Sequence, residues 1–255
     1  KIRNPWGERA PRTWKGDWGK DSEKWTPELQ RQLGVINSSG VLMDDPMSIF
    51  WMAFEDVKEY FAHMEICRVH ENWHEQRQRA WLPSAVGPGE AFDLTVFTRT
   101  QVDIALWQEK NVSREGALGA QSTNIDVGFA ILRYGRKGPQ GNDEYDLIQY
   151  VKRECNDEVS IETILDAGYT YRIVPLSYSL ILDTSPRRAC LCVHSVQKLE
   201  LKKVTSRWSD VATATFEGAR KFGSFWDDGS RSGITYWLLH EPGGCCFVVE
   251  NRSEK

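Results

Sequence analysis

Four groups of residues carry side chains able to do chemistry. Near the start of the chain, Asn4, Pro5 and Trp6 stand together. Pro5 locks its own φ and confines Asn4 to extended backbone, so the Asn4 amide is held in one direction. Such an amide can accept the N–H of a neighbouring imidazole and set its tautomer; the Trp6 indole over the pair would exclude water and strengthen the bond. Read alone, the commoner fate of such a tripeptide is a plain turn. His70, Glu71 and His74 match the H-E-x-x-H pattern of zinc peptidases, in which two imidazoles one helical turn apart hold the metal and the Glu is the general base. The preceding Glu65 to Val69 is strand-like and no G-x-x-H extension follows, so a surface connection after a strand competes with the zinc helix. Cys190, Cys192 and His194 alternate, so along a strand all three point the same way and could ligate a metal. No second Cys or His cluster completes a tetrahedral set, and we expect a buried strand face there. Asp143, Glu144, Asp146, Glu154, Asp157, Glu158, Glu162 and Asp166 outnumber Lys152 and Arg153 in their stretch, the kind of oxygen-rich segment that hard cations want. It lacks the EF-hand spacing, and a calcium-binding or partner-binding loop is weighed against a solvated face.

These groups need elements to position them. Thr26 as N-cap, Pro27 at the first helical position, Leu29 and Leu33 four apart and Gly34 as the stop predict a helix between Trp25 and Gly34. SIFWMAF is strand-like, Phe54, Val57, Phe61 and Met64 share a helical face, and MEICRV returns to extended character. After Pro83 the stretch AVGPGE reads as a linker, and a period of two takes over. Val102, Ile104 and Leu106 lie on one face, as do Val127, Phe129 and Ile131, and Tyr169, Tyr171 and Ile173; ACLCV and GITYWLL follow in the same style. Many short strands with few helix signals imply an antiparallel β-sandwich.

The 255 residues suffice for two domains, and 40% hydrophobic with 27% charged residues indicates neither disorder nor a membrane protein. A net charge of −4 argues against non-specific nucleic-acid binding. No apolar run reaches the roughly 20 residues of a membrane helix. The six cysteines, with Cys245 and Cys246 adjacent, do not resemble a secreted disulfide framework. We therefore expect a cytoplasmic protein. The chain begins at Lys1 with no initiator Met, so we expect a fragment of a longer one.

RNPWG, TWKGDW, FWMAFEDVKEYF and MEICRV occur in an order and spacing that resembles the calpain cysteine proteases. EICRVHENWHEQRQRAWLPSA and WLLHEPGGCCFVVENR resemble, more loosely, the small optic lobes-type branch. The resemblance implies an α+β, mostly β fold: the C-terminal half of a papain-like protease core over 1–75, a calpain-type β-sandwich over 76–200, and the start of a further C-terminal β domain over 201–255. It implies that Asn4 orients the His of a Cys-His-Asn triad, with Trp6 shielding the contact, and that the Cys and His lie upstream of this chain. The implied function is limited proteolysis of protein substrates by an intracellular cysteine endopeptidase. The alternatives are a catalytically inactive scaffold or binding module and, further off, a zinc peptidase through His70, Glu71 and His74.

Calcium is the cofactor that the resemblance implies, and calcium or membrane-surface contact through the sandwich is a further implied partnership. Yet the positions matching the family's calcium carboxylates hold Thr13, Lys20, Met47 and Ile49. We expect that site to be lost, or rebuilt around Asp21, Asp44 and Asp45.

Overall fold

The computed structural model describes residues 1–4, 14–41, 49–64, 66–67, 69–82, 89–109, 124–137, 143–178, 187–227 and 233–251. The fold is α+β and mostly β. It divides into two compact units, Lys1–Val69 and His70–Lys255.

In the first unit, β1 (Ile2–Arg3) pairs antiparallel with β2 (Ile49–Phe50), Ile2 opposite Phe50 and Arg3 opposite Ile49. Helix α1 (Pro27–Gln32) starts as its sequence predicts: Thr26 Oγ1 accepts the Leu29 N–H at 3.2 Å, and Pro27 occupies the first turn. Gly34, at φ +66°, sits just beyond its end in the left-handed region that glycine adopts without penalty. Helix α2 (Phe54–Tyr60) ends before Phe61, because Phe61 is already extended at φ −113° and ψ 123°. The strand-like stretch before it shortens to β2, and the described residues of MEICRV carry no strand. Among the described residues of this unit only Gly19 is buried, while Phe54, Tyr60, Met64 and Ile66 are each more than half exposed.

The second unit has a full interior. Strands β3 (His74–Leu82), β4 (Glu90–Val96), β5 (Thr100–Gln108), β6 (Val127–Lys137), β7 (Asp143–Glu154), β8 (Glu158–Leu165), β9 (Tyr169–Leu176), β10 (Arg187–Ser195) and β11 (Leu199–Thr205) form two antiparallel sheets. Their orders are β3-β10-β5-β8 and β11-β4-β9-β6-β7. Val102, Ile104, Leu106, Leu191 and Val193 of the first sheet share one core with Phe92, Leu94, Phe129, Ile131 and Ile173 of the second. Alternation thus places one apolar face of each sheet in a sandwich interior.

The five-stranded sheet is covered on its other face as well. Helix α3 (Trp208–Phe222) and an antiparallel sheet of β12 (Ser224–Asp227), β13 (Ile234–Glu241) and β14 (Gly244–Asn251) enclose a second core with Ala130, Leu132, Tyr150, Val174 and Leu176. Two arginines, Arg153 buried and Arg172 half-buried, hold this layer on. Arg172 donates twice to Asp93, at 2.7 and 2.9 Å, and at 2.9 Å to Asp210 in the first turn of α3. Arg153 of β7 donates at 2.6 Å to Asp126 and at 2.7 Å to Glu241, the last residue of β13. Each guanidinium has its charge met by two carboxylates, the condition under which burial of ions is tolerated.

Candidate functional site

Asn4 follows directly on the last paired residue of β1 and is half-buried. Trp6 lies outside the described residues. The other early tryptophans pack on neighbouring rings. Trp14 meets Tyr60 edge-on at 5.3 Å, Trp18 meets Trp25 at 5.4 Å, and Trp25 meets Trp51 at 6.2 Å. Their polar edges are satisfied locally, Trp14 Nε1 donating to the Asp17 carbonyl at 2.7 Å and Trp25 Nε1 to the Gly19 carbonyl at 2.9 Å. Trp14 therefore packs on Tyr60, while Trp18 joins a chain of half-buried rings with Trp25 and Trp51. The two glycines between and after Trp14 and Trp18 make this packing possible. A Cβ on Gly16 would lie 2.2 Å from Trp14 Cζ2, and one on Gly19 would lie 2.6 Å from the Trp14 carbonyl oxygen.

Of the implied calcium positions, Lys20 is exposed and Ile49 sits in β2; an ammonium and an aliphatic chain supply no oxygen ligand. Asp21 is exposed as well. Thr13, Asp44, Asp45 and Met47 lie outside the described residues. The donor set that can be seen does not fit calcium.

The zinc-helix pattern is overturned. His70 precedes a turn formed by Glu71 and Asn72, the latter at φ +64°, Trp73 lies outside any helix, and His74 opens β3. His70 Nε2 lies 2.9 Å from Asp103 Oδ2, and its ring stacks on Trp73 at 4.0 Å. The stretch connects into the sheet, and the two imidazoles do not share a helical face.

Cys190, Cys192 and His194 do share one side of β10, but it is the side away from the sandwich interior; Ala189, Leu191 and Val193 face the core. The expectation of a buried core face is thus corrected, although Cys192 itself is only 6% exposed. The strand pairing sets Glu75 of β3 opposite His194 and Arg77 opposite Cys192. Glu75, Cys192 and His194 then bring three ligand atoms within 4.8 Å of one another. Cys192 Sγ is 4.0 Å from Glu75 Oε1 and 3.9 Å from His194 Nε2, and His194 Nε2 is 3.6 Å from Glu75 Oε2. Burial, and next the Glu75 carboxylate, push the Cys192 thiol up from its ordinary value. Glu75 carries no motif of its own. Its signal was the alternation Glu75, Arg77, Arg79, Trp81 along β3, which names a face without naming its neighbours.

The acidic stretch disperses. Asp146 pairs with Arg133 at 2.7 Å, Asp157 accepts from Asn124 at 2.9 Å, and Asp166 accepts from Arg99 at 3.2 Å. Glu162, in β8, is bonded to Gln101, and Glu154 accepts from Asn156. These carboxylates belong to separate surface pairs spread along β7, β8 and their ends. Among the described residues they do not converge on a cation site.

Residues 1–68 match the sequence profile of the calpain family cysteine proteases. The chain is 36% identical over 90 residues to Calpain-5 of Rattus norvegicus, a match taking in 32% of this chain and 13% of that protein. It is 30% identical over 229 residues to Calpain-9 of Homo sapiens, covering 78% of this chain and 31% of that one. With the calpain-type cysteine protease DEK1 of Arabidopsis thaliana the identity is 31% over 202 residues, 69% of this chain and 9% of the relative. The chain therefore spans less than a third of each of these relatives, and it is related to the calpain family. The relatives support that family as a whole and do not single out the small optic lobes-type branch.

Proposed function

We propose that this chain is the carboxy-terminal part of a calpain-type cysteine endopeptidase that cuts protein substrates at few sites in the cytoplasm. Residues 1–75 supply the end of the protease core, 76–200 the β-sandwich, and 201–255 lead into a further domain. The catalytic Cys and His come from polypeptide outside this chain. The Cys thiolate attacks the scissile carbonyl and the His carries the proton to the leaving amine. The Asn4 carboxamide oxygen accepts the imidazole N–H and holds the tautomer that chemistry requires, with Trp6 keeping water off that bond.

The observation that carries this reading is Asn4 itself: within the calpain-matching segment, half-buried, at the end of a strand whose pairing fixes the backbone before it. Two others support it. The first unit leaves large apolar side chains uncovered, as part of a larger core would. All six cysteines are free, as a reducing compartment would keep them.

The test is Asn4→Ala in the full-length protein. Peptidase turnover should fall about 100-fold or more with the melting temperature unchanged, because the imidazole loses its orienting partner. Full activity in that variant would overturn the assignment. An upstream sequence lacking the Cys or the His would leave a scaffold that keeps the fold without the chemistry.

A further inference from the structure

The outer face of the four-stranded sheet carries the one cluster of metal-ligating side chains found among the described residues: Glu75, Cys192 and His194. We propose that these three residues form a zinc site that fastens the edge strand β3 to β10. It is independent of the protease chemistry, and none of its three ligands comes from the His-Glu-Asn-Trp-His stretch.

The geometry points to a coordinated ion. With zinc–sulfur distances of about 2.3 Å and zinc–nitrogen and zinc–oxygen distances of about 2.0–2.2 Å, a tetrahedral site has ligand-to-ligand edges of about 3.3–3.7 Å. Here Cys192 Sγ lies 3.9 Å from His194 Nε2, the two oxygens of Glu75 lie 4.0 Å from the sulfur and 3.6 Å from the ring nitrogen, and one ligand atom from each residue falls within 4.8 Å of the others, so closing onto an ion needs a side-chain shift of about an ångström. A thiol, an imidazole and a carboxylate together are borderline-soft donors, a set that suits zinc and suits calcium or magnesium poorly. Three protein ligands leave the fourth position to water.

The backbone holds the donors in place before any ion arrives. Cys192 and His194 are two apart on one strand and so project from the same face, while the β3–β10 register puts Glu75 directly opposite His194. Cys192 is buried, so its sulfur has little rotational freedom. The His70 ring lies 5.3 Å from the His194 ring and is itself bonded to Asp103, which walls the imidazole on the third side. Arg77 is the competitor: it pairs with Glu75, but its side chain is 66% exposed and can swing into solvent when an ion takes the carboxylate. Binding deprotonates the thiol, and that proton goes to the buffer.

The experiment is metal binding by the purified chain after chelator treatment and dialysis, using zinc and, as a spectroscopic probe, cobalt(II). One equivalent of zinc should bind, and cobalt should give the intense visible bands of a tetrahedral site together with a thiolate charge-transfer band. Cys192→Ser and His194→Ala should each weaken zinc binding at least tenfold and remove the charge-transfer band. Glu75→Gln should weaken binding less while keeping that band. Should a variant fail to fold, peptide-resolved alkylation of the unaltered chain decides: zinc should slow modification of Cys192 and leave Cys67, Cys155 and Cys245 unprotected. Absence of zinc binding, or binding with Cys192 as reactive as before, overturns the proposal. Because no readout involves peptidase activity, its failure would leave the protease assignment untouched.

Discussion

Arg153 and Glu241 meet almost wholly out of water, the guanidinium 2% and the carboxylate 0% exposed, with Nε donating to Oε2 at 2.7 Å. Glu241 Oε1 also accepts the Arg153 backbone N–H at 3.0 Å, so one carboxylate serves two donors of the same residue. This contact joins β7 of the sandwich to β13 of the outer layer. Removing Glu241 leaves the guanidinium paired with Asp126 but strips the buried Arg153 Nε and backbone N–H of the carboxylate they donate to. Glu241→Ala should therefore lower unfolding stability by about 3 kcal/mol. Replacing Arg153, Glu241 and Asp126 together with apolar side chains of similar size should recover part of that loss, because no buried charge is then left alone. Urea denaturation followed by circular dichroism measures both, and a loss below about 1 kcal/mol would show the junction to be dispensable.

Gly16 and Gly19 both stand against Trp14, but not equivalently. At Gly16 the obstacle is an indole edge, which can rotate away at the expense of its contact with Tyr60; at Gly19 it is the Trp14 carbonyl, which moves only with the main chain. Gly19→Ala should accordingly destabilise the first unit by about 1–3 kcal/mol and Gly16→Ala by less. Thermal melts read by tryptophan fluorescence would rank the two, and the reverse order would contradict the packing described.

Tyr178 is a half-buried phenol bonded to Thr215, and desolvation, the largest influence, pushes its pKa up to about 12. The unfolded chain loses that proton near the ordinary value of about 10. Above that pH the unfolded state binds fewer protons than the folded one, so stability is full below about pH 10 and declines as pH rises toward 12. Tyr178→Phe should flatten part of that decline. Tyrosinate absorbance recorded against pH, alongside stability at each pH, checks both statements.

Calcium should do little to the first unit. A ligand at a hundred times its Kd stabilises by about 2.7 kcal/mol, a rise easily seen in a melt. Lys20 and Ile49 offer no such site, so the transition of the first unit should not move when calcium is added. A rise abolished by changing Asp44 and Asp45 would reveal a rebuilt site; one abolished by changing the Asp143 to Asp166 stretch would locate it in the sandwich.

Where local chemistry decides an element, the sequence was readable. Thr26, Pro27 and Gly34 bracket α1 because each has a conformational preference independent of the rest of the fold. Val102, Ile104 and Leu106 announce a half-buried strand for the same reason, and all three are fully buried. Helix α3 was missed. Its N-cap is Arg207 rather than a Ser, Thr, Asp or Asn. Its buried face is built from small residues such as Ala214, Gly218 and Ala219 because Tyr150 of the sheet comes too close for more; a Cβ on Gly218 would lie 2.5 Å from Tyr150 Cε2. The face of β10 was misassigned because Cys190 and Cys192 are nearly as apolar as Leu191 and Val193, so alternation alone could not say which side met the interior. Asn4 owes its assignment to resemblance, and Glu75 became visible only through strand register, which a one-residue slip would have changed.

The disparity between the two units in what they bury has a consequence for how the chain comes apart. Amide protons of the described residues of the first unit have almost no dry interior to shelter in, whereas β5, β6, β9 and β10 carry fully enclosed side chains. Deuterium should flood the former within moments and reach the latter only through rare, wholesale opening, so a single exchange time course would draw the border near residue 70 without any structure in hand.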